Sequence, residues 1–131
     1  MRKLILAAPL LMLMSGARAD DTVDCKHAMT QMDMDFCAGK DFQAADGKLN
    51  ATYKKLTSAL DAHELASLKT AQRAWVAWRD AECDYRTIDS EGGSIRPMEV
   101  SMCETELTND RIKQLQDQIA CPAGNLACPA K

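Results

Sequence analysis

The chain has 131 residues, enough for one domain around one core, and 47% of them are hydrophobic. Acidic residues outnumber basic ones by 19 to 16, which argues against a nucleic-acid partner. An acidic protein is instead drawn toward cationic proteins, although the same charge also serves solubility.

The N-terminus has the features of a secretory signal peptide. Arg2 and Lys3 precede the apolar run LILAAPLLMLM, and SGARA supplies an A-x-A-like cleavage site that ends at Ala19. The run is short for a membrane span, and no later stretch reaches the roughly 20 apolar residues required. We therefore expect a periplasmic or secreted protein without a membrane span. Its mature chain, residues 20–131, keeps 13 basic and 19 acidic residues, a net charge of −6.

Cysteine usage points to the same compartment. The chain has an even number of cysteines, and an oxidising environment favours three disulfides. Because there is no C-x-x-C motif, a thioredoxin-like redox site and a haem attachment site are not expected. Zinc is a poor fit, since the spacings do not bring cysteine pairs together and the only histidines are His27 and His63. The six positions are Cys25, Cys37, Cys83, Cys103, Cys121 and Cys128.

Capping residues and apolar spacing predict a first helix that opens at Thr30. In T-Q-M-D, Asp33 follows this N-cap by three residues, a pattern similar to a capping box. Apolar side chains then recur at steps of three and four, which marks one face of a long helix. Gly39 and Gly47 weaken this helix without ending it. The residues of the face are Phe42, Ala45, Leu49, Tyr53, Leu56 and Leu60.

A second capping pattern, D-A-H-E from Asp61 to Glu64, begins the next helix. Its stripe consists of Leu65, Leu68, Gln72, Trp75, Arg79 and Cys83. The segment TIDSEGGSI separates it from a third helix, in which Pro97 takes a first helical position and Thr108 is a candidate second cap. No segment alternates with a period of two residues. The sequence therefore predicts an all-α fold, a small antiparallel bundle of three to four helices stapled by disulfides.

Chain geometry favours disulfides between neighbouring cysteines. Cys25 precedes the first helix and Cys37 lies about two turns inside it, roughly 10 Å that the intervening residues are able to double back across. Cys83 ends the second helix and Cys103 begins the third, so a bond between them would staple the glycine loop at its base. Such a bond is worth about 3 kcal/mol. These pairs belong to one of fifteen possible connectivities.

The C-terminal stretch CPAGNLACPAK differs from the rest of the chain. Its prolines and glycine follow one another closely, and the apolar period stops. A bond between Cys121 and Cys128 would close this stretch on itself. The expected organisation is a signal peptide at 1–19, a helical domain at 20–120 and a cysteine-containing tail at 121–131.

Several separated motifs resemble one protein family. They are the spacing C-x11-C, DGKLNATY at 46–53, QRAWVAWRDAEC at 72–83, GGS at 92–94 and CETELTNDR at 103–111. In this order they are similar to the LprI-type lysozyme-inhibitor domain of bacterial envelope proteins, over roughly residues 25–115. The resemblance implies a small, exported, disulfide-bonded helical domain that inhibits a lysozyme. Its partner would then be a protein, a cationic lysozyme or another muramidase.

Polar residues on the first two helices predict a network between them. Asp46 and Asn50 are four residues apart, Tyr53 follows one step on, and Gln72 and Arg79 offer donors and acceptors on the second helix. These side chains could line a catalytic cleft, but a buried carboxylate needs such partners in any packed bundle. A glycosidase would need two carboxylates across a sugar site, and the sequence marks no such pair. The structural role is favoured, and no enzyme activity is expected.

The segment SEGGSIRP, residues 90–97, is the best candidate for contact with a partner. A loop held by a disulfide has already lost much conformational entropy, so it enters another protein's cleft at a reduced ordering cost. In this hypothesis its glycines allow close approach, its serine offers a hydroxyl, and its charged residues meet the catalytic carboxylates or basic rim of a lysozyme. A plain connector, in which the glycines only make the turn, is an equal alternative. The contact residues are Glu91, Gly92, Gly93, Ser94 and Arg96.

The two tryptophans lie three residues apart on the second helix. Trp75 is in phase with Leu68 and Cys83, so it is expected in the core. Trp78 is expected to be partly exposed, which makes it a further candidate for partner contact.

Two alternative functions stay open. Met29, Met32 and Met34 lie beside His27, and thioethers select Cu(I), so a periplasmic copper-binding module is one alternative. Methionine also fills irregular cores, which is the more frequent explanation. The other alternative is an immunity or envelope-stress protein directed against another cell-wall enzyme. Lysozyme inhibition, the main interpretation, requires no cofactor and no metal.

Overall fold

The structure, a computed structural model, describes residues 23–121, which form three long α-helices and one short 3₁₀ helix. Helix α1 spans Gln31–Thr57, α2 spans Ala62–Arg86 and α3 spans Arg96–Ala120, with the 3₁₀ helix at Ile88–Ser90. This part of the chain contains no strand. The predicted all-α class is confirmed, as is the number of helices.

The predicted caps begin α1 and α2. Thr30 Oγ1 accepts a hydrogen bond from Asp33 N at 3.1 Å. Asp61 Oδ1 accepts from His63 N and Glu64 N, both at 2.8 Å, and the Glu64 carboxylate accepts from Asp61 N at 3.2 Å. This reciprocal arrangement is a complete capping box, so the start of α2 is specified locally by its own sequence.

Two details differ from the sequence-based expectations. Helix α1 ends at Thr57, so Leu60 lies in the connection to α2, from where it still packs against the core. Helix α3 runs unbroken through Thr108, which is fully buried. The expectation of a cap at Thr108 is wrong, because the hydroxyl accepts a hydrogen bond from Arg79 of α2 instead of capping its own helix.

Helices α1 and α3 run parallel to each other, and α2 runs antiparallel to both. At one end of the bundle, Met34 of α1 and Met98 of α3 line the same groove as Arg86 at the end of α2. At the other end, Thr52 of α1 lies near Ile119 of α3. This order follows from short connections, which make consecutive helices antiparallel neighbours.

The core consists of two adjoining clusters. The first joins α1 to α3, the second joins α2 to α3, and Trp75 packs against both. Ala38 and Ala45 are also buried on α1, and small side chains at a contact allow helix axes to approach closely. The first cluster is formed by Leu49, Leu56, Ile112 and Leu115, and the second by Cys83, Cys103 and Leu107.

Two predicted disulfides are present. The Cys25–Cys37 bond ties the segment before α1 to the helix, with a Cα–Cα distance of 5.5 Å. The Cys83–Cys103 bond joins α2 to α3 across 5.7 Å. The third predicted bond involves Cys128, which lies outside the described residues, as does the predicted signal peptide. None of the three helices is long and apolar enough to cross a bilayer.

Gly39 and Gly47 lie inside α1, where an added methyl group would meet no atom within 4 Å. Each glycine weakens the helix without a packing role, so we expect Gly39→Ala or Gly47→Ala to raise the free energy of unfolding by about 1 kcal/mol. Urea unfolding of the disulfide-bonded protein, followed by circular dichroism, measures the change.

Gly92→Ala is the matched control with the opposite sign. Gly92 has φ of +75°, a conformation that strains any residue with a Cβ, so this variant should lose stability. A loss of stability at Gly39 or Gly47 would contradict the expectation for α1.

Candidate functional site

The loop between α2 and α3 is a succession of tight turns. Four backbone N–H groups from Ser90 to Arg96 donate to the carbonyl oxygen three residues earlier, so that one turn leads into the next. The bonds are Ser90 N to Thr87 O at 3.2 Å, Glu91 N to Ile88 O at 3.1 Å, Gly93 N to Ser90 O at 2.9 Å and Arg96 N to Gly93 O at 3.4 Å. These bonds give the loop a defined shape while its tip, residues 91–95, stays exposed.

Both ends of the loop are anchored. Thr87 is buried, and its hydroxyl donates to Cys83 O at 2.8 Å. Arg96 reaches back from the start of α3, where its Nε donates to Thr87 Oγ1 at 3.4 Å and its Nη2 donates to Asp84 Oδ1 at 3.1 Å. The disulfide between Cys83 and Cys103 closes the base. Arg96 is therefore an anchor of the loop, with its guanidinium already engaged.

The backbone of the loop explains why glycine stands at both positions. Gly92 takes a left-handed conformation, with φ of +75°. A Cβ at Gly93 would lie 3.0 Å from Ser90 O, closer than side chains normally approach a carbonyl oxygen. The glycines thus make the turn, and the exposed side chains that a partner would meet include those of Glu91 and Ser94.

Three exposed apolar residues lie in and beside the loop. None of them was expected from the sequence to belong to a site. Ile88 and Ile95 are 55% and 40% exposed, and Tyr85 at the end of α2 is 71% exposed. Apolar and aromatic side chains held open on a shaped surface are typical of protein contacts. Two of them could have been noticed in the sequence, because isoleucine is unusual within an otherwise polar segment that contains glycines.

Trp78 lies apart from this loop. Its side chain is 49% exposed, and its position on α2 is about 13 Å along the helix axis from Thr87. Trp75 packs against the core, as expected from its phase. The structure therefore does not bring Trp78 next to Ser94, and it places Trp78 on a separate surface of α2.

An open groove of about 780 Å³ lies at the same end of the bundle as the loop. Met34, Met98 and Met102 line it, together with Cys37 and Cys103 of the two disulfides. Thioether side chains are flexible and adapt to different apolar partners. The charged residues of the lining are Asp41, Arg86, Glu99 and Glu106, so its balance is acidic.

Only one of the three methionines proposed as copper ligands lines this groove. Met34 lines it, whereas Met29 and Met32 are 86% and 79% exposed. His27 Nδ1 lies 2.7 Å from Asp24 Oδ2. Residues 23–121 contain no cluster of three His, Cys, Asp or Glu side chains that could hold a metal ion.

In the middle of the bundle, the guanidinium of Arg79 is buried among the three helices. It lies 5.0 Å from the ring centroid of Phe42 and 5.4 Å from that of Trp75. Its Nη1 donates to Thr108 Oγ1 at 3.3 Å, while Nε and Nη2 donate to Asp80 Oδ1 at 2.9 and 2.7 Å. Ring faces and acceptors thus compensate for the cost of burying this cation.

The structure divides the polar network expected from the sequence. Asn50 Nδ2 donates to Asp46 Oδ2 at 2.9 Å, and Asp46 Oδ1 lies 3.9 Å from Arg79 Nη1. Gln72 belongs to a second group, where its Oε1 accepts from Arg111 Nε at 3.0 Å.

Tyr53, the remaining member of the expected network, packs against the first core cluster. The sequence does not indicate Thr108 and Arg111, which complete the two polar groups from α3. Spacing along one chain does not reveal which turn of α3 lies opposite Arg79, so these partners required the tertiary structure.

Glu104 is a half-buried carboxyl close to the buried arginine. Burial raises the pKa of Glu104 above its ordinary value of 4.5, Arg79 acts in the opposite direction, and Asp80, Asp84 and Asp46 raise the pKa further. The cationic group of this region is enclosed and its donors are engaged by protein atoms. The arrangement therefore stabilises helix packing.

A family model described as lysozyme inhibitor LprI matches residues 24–115. The chain belongs to the LprI lysozyme inhibitor family. The matched range contains α1, α2, the loop and most of α3, together with both described disulfides. The resemblance found in the sequence motifs is confirmed.

An uncharacterized protein of Rhizobium meliloti (strain 1021) is 39% identical to this LprI-family chain over 107 residues, which cover 72% of this chain and 77% of the relative. No solved structure matches the chain significantly. At the level of the family, LprI proteins are inhibitors whose partner is a lysozyme. Two disulfides agree with a place outside the reducing cytoplasm.

We expect Arg79→Ala to lower the free energy of unfolding by about 3 kcal/mol, because it removes buried packing on two aromatic rings and a donor to the buried Thr108 hydroxyl. Arg79→Lys should lose less, since it keeps the charge and part of the stem but not the planar fork. Urea unfolding compares the two variants. Equal stability of wild type and Arg79→Ala would show that the cluster is not structural.

Glu104→Gln should stabilise the LprI-family fold at neutral pH. A raised pKa in the folded state means that the charged form is less favourable there than in the unfolded chain. This penalty is complete above the raised pKa and disappears below the ordinary value of 4.5, where wild-type Glu104 is protonated in both states. Thermal unfolding at several pH values should show a gain near pH 7 that vanishes at low pH. Destabilisation at pH 7 would mean that attraction to Arg79 outweighs burial.

Proposed function

We propose that this LprI-family protein inhibits a lysozyme by placing the loop of residues 90–97 in the active-site cleft of the enzyme. The proposal is supported chiefly by the loop's shape, which turns and a buried disulfide fix before binding. A binding segment that is ordered in advance loses little conformational entropy on association. The protein acts by occlusion, and it performs no turnover.

The exposed tip of the loop supplies the contacts in this proposal. Glu91 offers a carboxylate to the basic rim of a lysozyme, and the Ser94 hydroxyl donates to a carboxylate inside the cleft. Ile88 and Ile95 contribute apolar area on either side. Arg96 acts indirectly, since its bonds to Thr87 and Asp84 hold the tip in position.

The groove beside the loop extends the contact surface. Three of its four charged lining residues are acidic, and the mature chain has a net charge of −6. Opposite charges speed the encounter with a cationic lysozyme and orient it, and this steering fades as salt shortens the Debye length to about 8 Å at physiological ionic strength. The methionines of the groove adapt to the apolar surface that follows.

Replacement of a side chain at the tip tests the loop more cleanly than replacement of its glycines, which the turn itself requires. We expect the mature protein to slow the clearing of a cell-wall suspension by a cationic lysozyme, with a weaker effect at high salt. Ser94→Tyr should weaken inhibition by about tenfold or more, or about 1.4 kcal/mol, because the larger side chain prevents entry into the cleft. Inhibition constants for wild type and variant measure the effect.

Ser58→Tyr is the matched control, since Ser58 is also exposed but lies in the connection between α1 and α2. It should inhibit like wild type, and both variants should keep the wild-type circular dichroism and melting temperature. If no lysozyme in a panel of several classes is inhibited by excess protein, lysozyme inhibition is ruled out. If Ser94→Tyr inhibits as strongly as wild type, the protein is still a lysozyme inhibitor, but the loop mechanism is wrong. Other muramidases in the panel test the immunity alternative.

A further inference from the structure

The outer face of α2 carries no charged residue over about five turns. The solvent side of a helix in a small soluble domain is normally its charged side, so this face is unusual. All of its residues are exposed, and Trp78 and Tyr85 are large apolar side chains among them. The outer face consists of Ser67, Thr70, Ala71, Ala74, Ala77, Trp78, Ala81 and Tyr85.

Large and small residues are segregated along the outer face. Trp78 and Tyr85 lie in the second half of α2, whereas Ser67, Ala71 and Ala74 lie in the first half. A second copy of α2 that runs antiparallel therefore brings the large side chains of one copy to the level of the small residues of the other. Such pairing allows helix axes to approach to about 8 Å.

Charged residues along one edge of the outer face have the same internal symmetry. Lys69, Arg73, Asp80 and Asp84 follow at steps of four, seven and four residues, which keeps them on one edge of the helix. The basic pair lies in the first half and the acidic pair in the second. Asp80 and Asp84 have side chains 51% and 71% exposed, so each carboxylate still has room for a second partner.

We propose that the protein forms an antiparallel homodimer through the outer face of α2. A two-fold axis at the level between Val76 and Ala77 sets Lys69 opposite Asp84 of the second copy, and Arg73 opposite Asp80 of the second copy. A single axis satisfies both pairs, and the symmetry repeats each pair, which gives four contacts between opposite charges. Isologous contacts of this kind are the commonest basis of dimers.

The same axis brings the apolar side chains into register. Trp78 lies within one residue of the level of Ala74 of the second copy and, because it is close to the two-fold axis, also meets Trp78 of the second copy. Tyr85 lies level with the space between Ser67 and Ala71 of the second copy. The charged edge thus sets the axis, and the apolar face is compatible with it, with the two Trp78 side chains in contact near the centre. That arrangement buries both exposed aromatic residues of α2 and leaves the tip of the loop at the end of each copy uncovered.

Sedimentation equilibrium of the mature, disulfide-bonded protein tests the dimer. We expect an average mass that rises with protein concentration to twice the monomer mass. Ala74→Glu should keep the protein monomeric at the same concentrations, because it places a charge at the centre of the face. Ala44→Glu, at an exposed alanine of α1, is the matched control and should associate like wild type. A monomer at every concentration, or a dimer that survives Ala74→Glu, would overturn the proposal.

A charge exchange tests the antiparallel register. Lys69→Glu and Asp84→Lys should each raise the dissociation constant by about tenfold, because each places like charges together at two symmetric contacts. The double variant should associate more tightly than either single variant. Lys48→Glu on α1 makes the same change of charge away from the face and should have little effect. Failure of the double variant to recover association would contradict the register. Because Asp84→Lys also removes the acceptor of Arg96 Nη2, recovery is judged against Asp84→Lys alone, and circular dichroism checks that each variant keeps its helices.

Discussion

The Cys83–Cys103 disulfide is the contact on which the rest of the structure depends. It is buried in the second core cluster beside Leu107 and joins the end of α2 to α3. The carbonyl oxygen of Cys83 also accepts a hydrogen bond from the Thr87 hydroxyl, which fixes the start of the loop. One covalent bond therefore stabilises the core, closes the loop and borders the groove. Reduction would weaken all three together, so the fold suits an oxidising compartment.

Features set by nearby residues could be predicted from the sequence. The caps at Thr30 and Asp61 each need a partner within three residues, and the two described disulfides join neighbouring cysteines. Thr108 shows where such prediction ends. A threonine within a polar stretch is compatible with a helix cap, and only the register of α3 against α2 reveals that its hydroxyl accepts from Arg79. The shape of the loop depends likewise on bonds that its glycines permit but do not specify.

Helix α2 has apolar residues on its exposed outer face as well as on its core face, which distinguishes it from an ordinary helix of a three-helix bundle. Trp75 packs inward against both core clusters, and Trp78, three residues later, remains half exposed. The core needs only the first of these faces. In an antiparallel dimer the second face is covered, and the two loops lie at opposite ends of the helix pair. Each copy then presents its own loop without obstruction by the other.

The charge distribution is compatible both with the proposed self-association and with a cationic partner. Two copies of this acidic chain, each with a net charge of −3, repel one another at long range, whereas a cationic lysozyme is attracted. At physiological ionic strength the diffuse repulsion is screened beyond about 8 Å, but contacts at the edge of α2 act at shorter distance. Those contacts also select the direction of pairing. A parallel pair would set Asp80 near Glu82 of the second copy, whereas the antiparallel arrangement sets both acidic residues of the edge against basic ones.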